Sequence, residues 1–66
     1  METYDVRFDD STDSNFKGFE TTMTECIQYI EENNGSNNSY FADYKGGTVS
    51  VVCNETGLVV HSEEVK

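Results

Sequence analysis

The sequence has no proline and no tryptophan, only two cysteines, and only four Lys or Arg residues against 13 Asp or Glu. Without proline there is no polyproline segment, and breaks in secondary structure fall to Gly, Asn and Ser. Four cations in a chain of net charge −9 argue against direct nucleic-acid binding, which needs Lys and Arg to neutralise phosphates. The same balance argues against an anionic membrane surface and favours a protein partner with a basic or apolar surface. Two cysteines are too few for a disulfide scaffold. Cys26 and Cys53 each sit in an apolar pattern, where a free Cys behaves as a small hydrophobe. No run approaches 18 apolar residues, so no membrane span is expected. The start, Met1-Glu2-Thr3-Tyr4-Asp5, has neither a basic region nor an apolar run. A reducing cytoplasm is therefore the expected location.

At 66 residues, residues 1–66 make one small domain. A chain this short buries only about 60% of its unfolded surface. Its core supplies roughly 3–5 kcal/mol of net stability. A closed, substrate-sized pocket does not fit beside such a core. A site is expected on a surface, an edge or an interface.

The hydrophobic pattern predicts an α+β fold of order β-α-β-β-β. Tyr4, Val6 and Phe8 alternate with Asp5, Arg7 and Asp9, a half-buried strand over 3–9. Residues 10–18 read as a polar loop. Phe19, Met23, Cys26, Ile27 and Ile30 trace one stripe of a helix over 19–33, ended by Asn33-Asn34-Gly35. Strands follow at 40–44, 48–53 and 58–63, joined by a Gly46-Gly47 hairpin turn and an Asn54–Gly57 turn. One helix then packs on one face of a four-stranded, mostly antiparallel sheet. The first strand is expected to run parallel to its neighbour through a right-handed crossover.

Pairing across Gly46-Gly47 puts Tyr40, Ala42, Tyr44, Val49, Val51 and Cys53 beneath the helix, with Leu58 and Val60 joining them if the second turn keeps parity. It puts Phe41, Val52 and, if the second turn keeps parity, Val59 together on the open face. A contiguous apolar patch of that kind marks an interface. These three are the candidate partner-binding residues, for another protein or for a homodimer.

Other motifs are thinner. Asp9, Ser11, Asp13 and Glu20 fall at positions 1, 3, 5 and 12 of a calcium loop. Ser14 stands where glycine is needed, however, and the cation Lys17 stands where a ligand belongs. His61 is the only histidine and has no partners spaced for zinc. Gly46-Gly47 precedes no helix, so it is no phosphate loop. No cofactor and no catalytic constellation are expected. The carboxylates Asp5, Asp9, Asp10, Asp13, Glu25 and Glu32 define an acidic surface. It is either a solvated face or a mimic of a nucleic-acid backbone, aimed at a basic nucleic-acid-binding protein.

The run Lys17-Gly18-Phe19-Glu20, the helix, then Ser39-Tyr40-Phe41-Ala42-Asp43-Tyr44-Lys45-Gly46-Gly47-Thr48-Val49 and the Glu55-Thr56-Gly57 turn resemble short acidic bacterial proteins of unknown function. The resemblance covers nearly the whole chain and implies no activity. The expectation is a non-enzymatic protein-interaction module. The alternatives are the nucleic-acid-mimicking inhibitor and a Ca²⁺-binding domain built on the 9–20 loop.

Overall fold

A computed structural model describes residues 2–66 and, Ser39 apart, their side chains. Strand β1 (Tyr4–Asp9) turns into a short β2 (Ser14–Phe16). Helix α1 (Met23–Asn33) and the single-turn α2 (Ser39–Asp43) follow, then β3 (Thr48–Cys53) and β4 (Val59–Glu64). The sheet has order β2-β1-β3-β4 and is antiparallel throughout. The fold is thus α+β, with one main helix on an open four-stranded sheet.

Four expectations are corrected. Residues 10–18 are no mere loop, because Asp10 organises a tight turn. Its Oδ1 accepts from the Thr12 and Asp13 N–H groups (2.8 and 2.7 Å), and the chain returns as β2. That extra reversal ahead of α1 brings β3 back antiparallel to β1, so there is no parallel crossover. The predicted strand at 40–44 is α2. Asn38 caps it, with its Oδ1 accepting from Tyr40 N–H (3.2 Å). Tyr40, Phe41 and Tyr44 stand at i, i+1 and i+4, so one helical turn points all three inward, while Ala42 and Asp43 are exposed. Gly46-Gly47 then carries the chain from α2 into β3 and is no hairpin turn.

The core lies between one sheet face and the helices. Val6 faces Val51 and Phe8 faces Val49 across β1 and β3. Above them lie Cys26 and Ile30 of α1, Phe41 and Tyr44, and Val65. Thr22 caps α1 by accepting from Glu25 N–H (3.1 Å). The helix therefore starts at Met23, and Phe19 precedes it. Its buried stripe is Cys26 and Ile30, with Ile27 half-buried and Met23 39% exposed. Phe8 is the hub of the aromatic cluster, 4.9 Å from the Phe41 ring and within 5.6 Å of Tyr40 and Tyr44.

Candidate interaction surfaces

The open face follows from the register. Asp5, Arg7 and Asp9 of β1 share it with Val52, Ser50 and Thr48 of β3, and Val52 faces Val59 of β4. Val52 and Val59 are therefore neighbours, as the sequence suggests. Phe41 is not with them, because helical geometry sends its side chain into the core, where it is fully buried. The pair also differs in exposure. Val52, like Asp5 and Ser50 on the same face, is buried (5% exposed) and offers a partner almost no surface, while Val59 is 47% exposed.

Leu58 and Val60 flank Val59 and are 65% and 44% exposed. The register between β3 and β4 shifts at this point, with Val51 facing His61 and Val52 facing Val59. Val60 is the extra residue of a β-bulge. Parity across the second turn puts Val59 on the open face and Leu58 and Val60 beneath the helix; the bulge overturns the latter, and both are exposed. The run Leu58-Val59-Val60 at a strand end was the available signal.

β4 is an edge strand. In an antiparallel pair, alternate residues direct their backbone groups to the partner strand and outward. Val65 N–H bonds to Gly47 O (3.0 Å) and Val65 O accepts from Gly46 N–H (2.9 Å), so Val65 faces inward and Glu64 outward. Asn34 covers that end: its Nδ2 donates to Glu64 O and Glu63 Oε1 (both 3.0 Å), and its Oδ1 accepts from Lys66 N–H (2.9 Å). Ser62 is the next outward residue, and among the described residues no hydrogen bond of this kind caps it. The edge is closed at its C-terminal end by Asn34 and open from Ser62 back to the apolar run.

Glu63 ties this region to solution pH. The His61 ring nitrogen, 2.8 Å from Glu63 Oε2, and Asn34 hold its carboxyl below the ordinary value of 4.5, against the opposing effect of partial burial. A carboxylate with a depressed folded pKa stabilises the fold above its unfolded pKa. That contribution fades as pH falls through the folded value. Wild type should therefore melt higher than Glu63→Gln at pH 7, and the gap should narrow as pH falls below the ordinary carboxyl value of 4.5. Paired thermal melts on either side of that value check this, and a gap that persists in acid would contradict it.

The acidic residues are dispersed. Asp5 is buried, so it leaves the acidic surface. Its Oδ2 accepts from Gly18 N–H, and its Oδ1 from Val6 and Phe19 N–H, at 2.8–2.9 Å. Asp9 accepts from Arg7 Nε (2.7 Å), and Asp13 Oδ2 accepts from the Tyr44 hydroxyl (3.0 Å). Asp10 and Asp13 lie at the hairpin tip, Glu25 in the first turn of α1, and Glu32 near its end. Of the calcium-loop residues, Asp9 ends β1, Ser11 and Asp13 lie in the hairpin turn, and Glu20 follows β2. Among the described residues no group of three or more His, Cys, Asp or Glu could hold a metal ion. Nor is any described helix long and apolar enough to cross a membrane.

The two thiols are free and buried, yet their chemistry diverges. Burial, with Asp5 and Glu25 nearby, pushes the Cys26 thiol up. The Thr56 hydroxyl, with the Thr56 and Glu55 amides, pulls the Cys53 thiol down. Burial alone raises a thiol's pKa; at Cys53 the polar 54–57 turn outweighs it.

No protein-family model, curated protein or solved structure matches the chain.

Proposed function

We propose that the chain is a non-enzymatic protein-interaction module that captures an extended segment of a partner by adding it as a strand beside β4. The carrying observation is the open edge: an exposed apolar run, Leu58-Val59-Val60, beside the outward backbone of Ser62. An uncovered edge strand is a template for pairing, and side chains along the added strand supply specificity. The net charge of −9 favours a segment that alternates apolar and basic residues. It also opposes a homodimer, because two such chains repel. Free thiols suit a reducing compartment, in keeping with a cytoplasmic protein.

Ser62→Pro is the discriminating variant. Proline removes an outward N–H and is tolerated on an edge strand, so the fold should survive while strand addition is blocked. Selection from a display library of eight-residue peptides should enrich alternating apolar and basic sequences on wild type. Binding of those peptides should fall about tenfold or more on Ser62→Pro and on Val59→Lys, the scale of one lost backbone pairing and one lost apolar contact. Peptides that bind both folded variants as tightly as wild type would overturn the proposal.

A further inference from the structure

In a chain with 13 carboxylates, the Lys17 ammonium rests on aromatic rings instead. Its Nζ lies 4.1 Å from the Tyr40 ring centroid, 5.8 Å from Phe19 and 6.0 Å from Tyr29. Among the described residues the ion pairs are Arg7–Asp9 and His61–Glu63, and neither involves Lys17. Three elements build this arrangement. Lys17 follows β2, with its N–H on Val6 O (2.9 Å). Asp5 fixes the Gly18 and Phe19 backbone. Tyr29 of α1 packs edge-on against Phe19, with centroids 4.9 Å apart and an 85° angle.

An open cleft of about 380 Å³ is lined by Phe19, Thr21, Glu25 and Tyr29; Tyr40 stands outside that lining and is joined to it by Lys17, whose Nζ reaches all three rings. The Thr21 hydroxyl donates to Glu25 Oε2 (2.9 Å) and holds that carboxylate in place. The Tyr29 hydroxyl is buried without a hydrogen-bond partner. Burial, the main cause, raises its pKa, so the phenol stays neutral. Ring faces, a fixed carboxylate and a neutral phenol together suit a cation with an apolar skirt. Aromatic cages recognise alkylated ammonium groups by the attraction of ring quadrupoles for positive charge.

We propose that Phe19, Tyr29 and Tyr40, with Glu25, form a recognition site for the alkylammonium group of a lysine side chain on a partner protein. In the free protein Lys17 occupies the Tyr40 side of that site, so an incoming lysine displaces an intramolecular copy of itself. The site lies at the β2 side of the sheet, opposite the β4 edge, and stands independently of strand addition there.

The test uses n-butylammonium chloride, a mimic of the lysine side chain, and tetramethylammonium chloride, each against sodium chloride of equal ionic strength. Binding is read from backbone amide NMR shifts. Both organic cations should shift the amides of residues 17–19, 25, 29 and 40, and sodium should not. In Lys17→Met the affinity should rise about fivefold, the scale of one cation–π contact removed from competition. In Tyr40→Leu and Glu25→Gln it should fall by a similar factor, each variant having first been confirmed folded by its thermal melt. Glu25→Gln keeps the aromatic packing, so it decides the matter if Tyr40→Leu does not fold. Unchanged affinity in Lys17→Met, or shifts scattered equally over Asp10, Glu31 and Glu32, would overturn the proposal.

Discussion

Phe41→Ala should leave the domain largely unfolded at 25 °C. Phe41 is fully buried. It packs edge-on to Phe8 at 4.9 Å and against Tyr29 at 5.6 Å, so truncation empties the centre of the aromatic cluster. Replacing a buried Phe by Ala costs about 3–5 kcal/mol. The net stability of a domain this size is of the same magnitude, roughly 3–5 kcal/mol. Far-UV circular dichroism and amide NMR dispersion would show the loss directly. Phe16→Ala is the internal control. Phe16 is 53% exposed, and its truncation should stay within about 0.5 kcal/mol of wild type, as surface substitutions usually do. A Phe41→Ala variant with a cooperative urea transition near that of wild type would mean that α2 does not seal the core. The result also bears on binding experiments: any loss of partner capture on changing Phe41 would report unfolding, not a contact.

The reason Phe41 was assigned to the open face shows where sequence pattern stops. Tyr40, Ala42 and Tyr44 alternate like a strand, yet Tyr40, Phe41 and Tyr44 equally fit one helical turn. Over five residues the two periods cannot be separated. The Asn38 cap decides the matter, and in sequence it is one Asn among several. The long, strongly patterned segments were legible. Val6 and Phe8 of β1, Val49 and Val51 of β3, and Cys26 and Ile30 of α1 all face the core as their spacing requires. β2 was not legible, because its three residues include a single hydrophobe and its existence depends on the Asp10 turn. The bulge at Val60 showed only as a break in the alternation, the run Leu58-Val59-Val60. Of the candidate site, Val52 and Val59 share a face as read, whereas the backbone of the β4 edge and its Asn34 cap are tertiary facts. Lys17 was visible only as a misfit, a cation where a calcium ligand should sit. In the structure that cation is held by Tyr40, a contact between residues 23 positions apart that no local pattern encodes.

Asp5→Ala should be the most damaging change of a polar residue, and it should act on the ammonium site as well as on the fold. The strand alternation points Asp5 away from the core, and a surface carboxylate would be dispensable. Instead its two oxygens accept from the Gly18 and Phe19 N–H groups, 13 and 14 residues along the chain, and from its own neighbour Val6. A carboxylate holding backbone donors forms charge-assisted bonds, stronger than neutral ones. Alanine removes the acceptor and leaves these part-buried donors unmatched, at about 1–3 kcal/mol for each one not rescued by water. With two long-range donors involved, the loss reaches a large share of the domain's stability. Asp5→Asn keeps one acceptor oxygen and should lose roughly half as much, so the pair separates hydrogen bonding from packing. Urea melts at pH 7 would rank wild type above Asp5→Asn above Asp5→Ala. A carboxylate free in solvent would make all three coincide. The same bonds set the position of the Phe19 ring and of Lys17 before it. In Asp5→Asn, the more stable of the two variants, the amides of Lys17, Gly18 and Phe19 should exchange with solvent faster than in wild type. Butylammonium should also bind it more weakly than wild type. If exchange quickens at Gly18 and Phe19 while ammonium affinity holds, Asp5 fixes the loop without shaping the ring site, and Tyr29 and Tyr40 alone set its geometry.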